Sequence, residues 1–187
     1  MNIPNIISSI RVALIPLIVY FFSYDFEQSN LIASILLIIA TLSDVLDGYI
    51  ARKFNQHTLL GSILAPIADK LLVVISLILL VHKFQLMMVT ICSIILIGRE
   101  IVVMGLREAV NSVDQNARIS VSLLGKLKTI FQMSSLVILF LASVQLPLWI
   151  ISLGLYLLAF STILSIVSMA NYLNQAINCL TLIRKSQ

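Results

Sequence analysis

Six apolar stretches follow one another along 187 residues, roughly over 5–24, 31–53, 60–82, 85–107, 121–143 and 147–172. Each is long enough to cross about 30 Å of hydrocarbon. The turns between them are short and polar, from Asp25 to Asn30, His82 to Gln85 and Ser143 to Pro147. Backbone groups in lipid have no water to bond, so each stretch must be helical. The composition agrees: 60% of the residues are hydrophobic and 11% are charged. No soluble domain of this size has an interior large enough to hide that much apolar surface. The expectation is an all-α integral membrane protein of six transmembrane helices, with one domain over 1–173 and a basic C-terminal tail over 174–187. Arg11 precedes the apolar run from Val12 to Phe22, and no small-x-small cleavage site follows it. The first helix is therefore read as retained.

Six crossings put both termini on one side of the membrane. That side collects Arg11, Arg52, Lys53, Arg107, Arg118, Lys126, Lys128, Arg184 and Lys185, whereas the opposite turns hold only Lys83, with Asp25 and Glu27. The positive-inside rule makes the basic side cytoplasmic. Cys92 and Cys179 stand far apart in apolar segments, which fits small hydrophobes rather than a metal motif.

Carboxylates break the apolar pattern on two neighbouring helices. A charged residue at the centre of a spanning helix costs roughly 2.5–3.5 kcal/mol by insertion scales, so it needs a compensating role. Asp44, Asp47, Gly48 and Ala51 share one helical face, with Arg52 at its cytoplasmic end. Gly61, Ala65, Ala68 and Asp69 form a similar stripe on the next helix, after a connection of about eight residues. Facing carboxylates repel unless a cation sits between them. Oxygen ligands suit Mg²⁺, Mn²⁺ or Ca²⁺ rather than zinc, and Mg²⁺ commonly bridges carboxylates to a phosphorylated substrate. With Arg52 available to phosphate oxygens, the pattern points to phosphoryl transfer or pyrophosphate cleavage at a membrane surface. The competing reading is a buried ion pair or a proton or ion path, with Arg52 opposite Asp47 and Lys70 near Asp69.

The run Asp47-Gly48-Tyr49-Ile50-Ala51-Arg52, followed by Gly61, Ala65 and Asp69 and preceded by Asp44, resembles the signature of the CDP-alcohol phosphatidyltransferases. Alanine stands at position 65, where that signature has an aspartate. The resemblance extends to Asn2-Ile3-Pro4-Asn5 with Arg11, to Gly98-Arg99-Glu100-Ile101 and Leu106-Arg107-Glu108, and to Gly125-Lys126-Leu127-Lys128-Thr129 with Gln132-Met133. Ser168-Met169 with Tyr172-Leu173 fits near the end. The resemblance implies six transmembrane helices and a two-metal Mg²⁺ or Mn²⁺ site at the cytoplasmic surface. It also implies transfer of a phosphatidyl group from CDP-diacylglycerol to an alcohol with release of CMP. For the branch that shares these outlying segments, the alcohol is sn-glycerol 3-phosphate.

By the same resemblance, Asp44, Asp47, position 65 and Asp69 are the metal ligands, and Asp69 is also the base on the acceptor hydroxyl. Pro4, Asn5, Asp44, Gly48, Ala51 and Arg52 lie against the CDP moiety. A phosphorylated acceptor needs further cations. Arg107, Arg118 and Lys126 are the expected phosphate ligands, with Arg99 supporting the pocket. Lys128 is divided between that role and plain interface charge, and Pro66 is a candidate kink in the third helix. A homodimer in a bacterial inner membrane is expected, with membrane lipids as partners and no nucleic acid.

Ala65 has no metal-binding oxygen, so the chain is expected to be impaired. Three explanations stay open: a deliberate Asp-to-Ala replacement, a naturally weakened relative, or a nearby group or water standing in for the ligand. Two alternatives for function also stay open. One is the same reaction with serine or an inositol phosphate as acceptor. The other is a non-catalytic membrane protein, such as a small transporter or a lipid- or nucleotide-binding module.

Overall fold

The computed structural model describes the backbone of residues 3–24, 28–54, 59–113, 123–142 and 146–186, and the side chains of residues 9–24, 28–43, 66–110, 112, 123–142 and 146–177. Six α-helices make up these residues: α1 (Ile3–Ser23), α2 (Ser29–Phe54), α3 (Leu59–Phe84), α4 (Met87–Val113), α5 (Leu123–Leu141) and α6 (Leu148–Ser186). Three segments among the described residues are long and apolar enough to cross a membrane: Met87–Val110, Leu123–Leu141 and Leu148–Ile177. Two shorter apolar helical segments are Ser9–Ser23 and Ser29–Ser43. This is a multi-pass membrane protein.

Several helix ends differ from expectation, and α4 runs to Val113 rather than 107. The turn expected over His82–Gln85 is mostly helix, because α3 continues to Phe84. His82 and Lys83 occupy its last turn, where a cation is favoured by the helix dipole. Gln85 then adopts a left-handed φ of 50°, and its N–H bonds to the Val81 carbonyl at 3.1 Å. That is the usual way a helix ends, although glycine more often fills the position. Residues 174–186, set apart as a tail, continue α6 without a break.

The chain forms two compact units. The first comprises Met1–Gln85 and Met133–Leu155. In it α1 packs on both α2 and α3, and α2 touches α3 much less, so α1 brings the two motif-bearing helices together. The buried face of α1 carries Ile15, Ile18 and Phe22, and Ala33, Leu37 and Ala40 line the matching face of α2. The alanines permit close approach, which is how helices associate in lipid, where apolar burial gives no drive. Phe22 meets Phe140 with ring centroids 4.3 Å apart. Gly154 is a close contact of the same sort: a Cβ there would lie 2.9 Å from Leu139 Cδ2, and the Gly154 carbonyl accepts a 2.8 Å bond from Ser135 Oγ. Pro16 and Pro66 lie inside α1 and α3, and neither ends its helix.

The second unit comprises Leu86–Gln132 and Tyr156–Gln187. Its α4 buries Val89, Cys92, Leu96, Arg99, Val103 and Val110 at helical spacing. The buried face of α6 carries Leu158, Ser161, Thr162, Ser165, Ser168, Tyr172 and Ala176. Hydroxyls on such a face need acceptors. Ser161 and Thr162 both donate to the Leu158 carbonyl at 2.8 Å, and Ser168 donates to that of Ser165 at 3.0 Å.

Candidate functional site

The positions expected to ligate metal all fall in the first unit. Asp44, Asp47, Gly48, Ala51 and Arg52 lie on the continuous helix α2, so the three-residue step between the two aspartates holds them on one face. Gly61, Ala65 and Asp69 lie on α3. The side chains of 44–65 are outside the described residues, as are those of Pro4 and Asn5 on α1. Asp69 is partly buried, and its neighbour Ala68 is fully buried. Among the described residues no three His, Cys, Asp or Glu side chains form a metal-binding group.

Beside this region is an apolar groove of about 400 Å³, lined by Ile38, Thr41 and Leu42 of α2 and by Met133, Ser134, Val137 and Ile138 of α5. Thr41 stands one turn before Asp44 on α2.

The second unit holds a polar cluster inside its apolar packing. Arg99, only 8% exposed, donates from Nη1 to Glu100 Oε1 at 3.0 Å and from Nη2 to Ser168 Oγ at 2.9 Å. Lys128 Nζ donates to the same Glu100 oxygen. Arg107 Nη2 donates to the Tyr172 hydroxyl at 3.1 Å. The Arg99 and Arg107 guanidinium carbons lie 5.6 and 5.2 Å from the Tyr172 ring centroid, within cation–π range of one aromatic ring. Two cations therefore share the Glu100 carboxylate, and a third, Arg107, meets the Tyr172 ring and hydroxyl. The Nε–H groups of Arg99 and Arg107 are buried and have no acceptor among the described residues.

These positions refine the expectations for the cations. Lys128 is 1% exposed and paired with Glu100, so it is not a plain interface charge. Glu100 and Arg107 share a helical face, yet Glu100 engages Arg99 and Lys128 while Arg107 turns to Tyr172. Arg11, counted with the basic-side charges, is fully buried in the first unit. Lys126 is exposed, and Arg118 lies outside the described residues. Cys92 is buried and free, as a small hydrophobe would be. Tyr172, part of the resemblance but given no role there, is the added member of the cluster. Its signal was its place four residues after Ser168, on the face that also carries Ser161 and Ser165.

Residues 1–171 match the family model described as CDP-alcohol phosphatidyltransferase. Among curated proteins, the chain is 38% identical over 172 residues to the CDP-diacylglycerol–glycerol-3-phosphate 3-phosphatidyltransferase of Wigglesworthia glossinidia brevipalpis, covering 92% of this chain and 93% of that protein. It is 42% identical over 135 residues to the Haemophilus influenzae protein of the same name, covering 72% and 73% of the two chains. The Salmonella typhi protein of that name is 34% identical over 175 residues, with 94% of each chain covered. A six-helix apolar chain, a family match over nearly its whole length and relatives of matching size lead to one assignment: the chain belongs to the CDP-alcohol phosphatidyltransferase family, membrane transferases of phospholipid biosynthesis.

Proposed function

We propose that this chain transfers a phosphatidyl group from CDP-diacylglycerol to sn-glycerol 3-phosphate, giving phosphatidylglycerol phosphate and CMP. The observation that carries the choice of acceptor is the cluster around Tyr172, where Arg99, Arg107 and Lys128 outnumber Glu100. An excess of buried positive charge favours a phosphorylated acceptor over serine. The names of the near full-length relatives favour glycerol 3-phosphate over an inositol phosphate.

Asp44, Asp47 and Asp69 form an oxygen donor set that fits Mg²⁺ or Mn²⁺. When bound, the cations supply charge neutralisation for the pyrophosphate and for the departing CMP. Asp69 accepts the proton of the glycerol hydroxyl, whose oxygen attacks the phosphorus bearing the diacylglycerol. The bond to the CMP oxygen breaks as the new ester forms. Arg52, with Pro4, Asn5, Gly48 and Ala51, holds the CDP moiety. Arg107, Lys126 and Arg118 take the acceptor phosphate, and Arg99 supports them. The apolar groove between α2 and α5, one turn from Asp44, is suited to an acyl chain of the donor.

Ala65 leaves this donor set one carboxylate short, so we expect weaker metal binding and slow turnover. Loss of an outer-shell partner alone costs about 10–100-fold, and loss of a ligand should cost no less. The charge asymmetry supports cytoplasmic termini in a bacterial inner membrane. A homodimer rests on the family resemblance.

The test is an acceptor panel on the Ala65→Asp variant, scored by CMP release and by mass spectrometry of the lipid product. Glycerol 3-phosphate should be the best acceptor. A serine or inositol phosphate product would move the chain to another branch. Tight CDP-lipid binding with no product from any alcohol would support the non-catalytic reading that Ala65 motivates.

A further inference from the structure

We propose that Tyr172 reads the acceptor phosphate directly, donating its phenolic O–H to an oxygen of a phosphate monoester held against Arg107. This rests on the acceptor reading above and gives a role to a residue that the resemblance includes without assigning it one. Tyr172 is 2% exposed, deep enough that its hydroxyl requires a partner. A phenol oxygen has one hydrogen to give and lone pairs to accept with. Arg107 Nη2 uses a lone pair, and the hydrogen has no acceptor among the described residues. The Nε–H groups of Arg99 and Arg107 are unsatisfied in the same way. One ring thus has two guanidinium groups over it, and three donors around it remain unspent.

The missing partner must accept several hydrogen bonds. It must also carry charge, because among the described residues the cluster holds two more cations than carboxylates. Water satisfies the first requirement only. A phosphodiester carries a single negative charge. A phosphate monoester brings about −1.5 to −2 charge and three acceptor oxygens, and so meets both. Glu100 occupies Arg99 and Lys128, whereas Arg107 has no carboxylate partner among the described residues. Arg107 is therefore the cation left to meet the ligand, and Tyr172 is the group that aims it.

Tyr172→Phe separates this from a packing role. It keeps the ring between the guanidinium groups and removes only the hydroxyl. Binding of sn-glycerol 3-phosphate and of CDP-diacylglycerol to the purified chain in detergent would be measured by calorimetry, with Arg107→Gln as reference and melting temperature as the check on folding. The expected result is an affinity for glycerol 3-phosphate about 10–100-fold weaker in Tyr172→Phe, as for loss of a hydrogen bond to a charged group. CDP-diacylglycerol binding and melting temperature should stay unchanged. If Arg107→Gln weakens glycerol 3-phosphate binding and Tyr172→Phe does not, the role of Tyr172 is overturned and the acceptor reading stands. If neither variant changes it, both are overturned. An equal loss of CDP-diacylglycerol binding in Tyr172→Phe also overturns the proposal, since the hydroxyl would then serve the donor or the fold.

Discussion

Among the described residues, Glu100 is the one carboxylate that meets the buried Arg99 and Lys128, and removing its charge should be costly. It accepts from Arg99 at 3.0 Å and from Lys128, which are 8% and 1% exposed. Both partners lie where water cannot replace it. In Glu100→Gln both ionised donors keep an amide oxygen to bond but lose the opposite charge, so the cost should fall somewhat below the roughly 3–5 kcal/mol of breaking a buried pair from one side. The expected destabilisation is therefore about 2–3 kcal/mol. Glu100→Ala also removes the acceptor, and should cost about 3–5 kcal/mol, the range for breaking a buried pair from one side. Unfolding in mixed micelles of dodecyl maltoside and dodecyl sulfate measures these differences. Lys128→Met closes a double-mutant cycle. The double variant should be less destabilised than the sum of the single variants by at least ~1 kcal/mol, because the two changes share one interaction. A Glu100→Gln protein within ~0.5 kcal/mol of the parent would refute the claim that Glu100 balances these charges.

Other outcomes follow from the same geometry. Gly154→Ala places a methyl 2.9 Å from Leu139 Cδ2 and should cost about 1–3 kcal/mol in the same unfolding assay, since an overpacked core must shift. In the Ala65→Asp background, Asp69→Asn should lower CMP release by roughly 10²–10⁴-fold, the range for losing a general base. Arg107→Gln in that background should raise the KM for glycerol 3-phosphate while leaving that for CDP-diacylglycerol near the parent value. Treatment with EDTA should stop CMP release, and added Mg²⁺ or Mn²⁺ should restore it.

The helices were legible because hydropathy is a local property. Runs of some twenty apolar residues admit one backbone solution in lipid, and the six helices lie where those runs do. The turn after α3 was displaced because His82 and Lys83 read as loop residues by polarity, although cations also suit the last turn of a helix. The Asp44, Asp47 and Asp69 spacing was legible for the same local reason, being set by helical periodicity. The cation cluster was not. Arg99, Glu100, Lys128, Ser168 and Tyr172 come from three helices, and no spacing rule says which partner a buried cation will meet. Lys128 was divided between phosphate ligand and interface charge because it lies near a helix start; it is buried and paired with Glu100 of α4. Tyr172 fitted the resemblance without a role, because its significance comes from the two arginines that α4 brings to its ring.

The central claim is that this chain keeps a phosphatidyltransferase site weakened at one ligand. It is tested most directly by CMP release from CDP-diacylglycerol and sn-glycerol 3-phosphate, measured side by side for the chain and its Ala65→Asp variant. The account predicts slow release from the chain itself and a gain of at least about tenfold on restoring the carboxylate. Equal rates for the two proteins would show that position 65 does not limit the site. No release from either, with any alcohol acceptor, would contradict the enzymatic account.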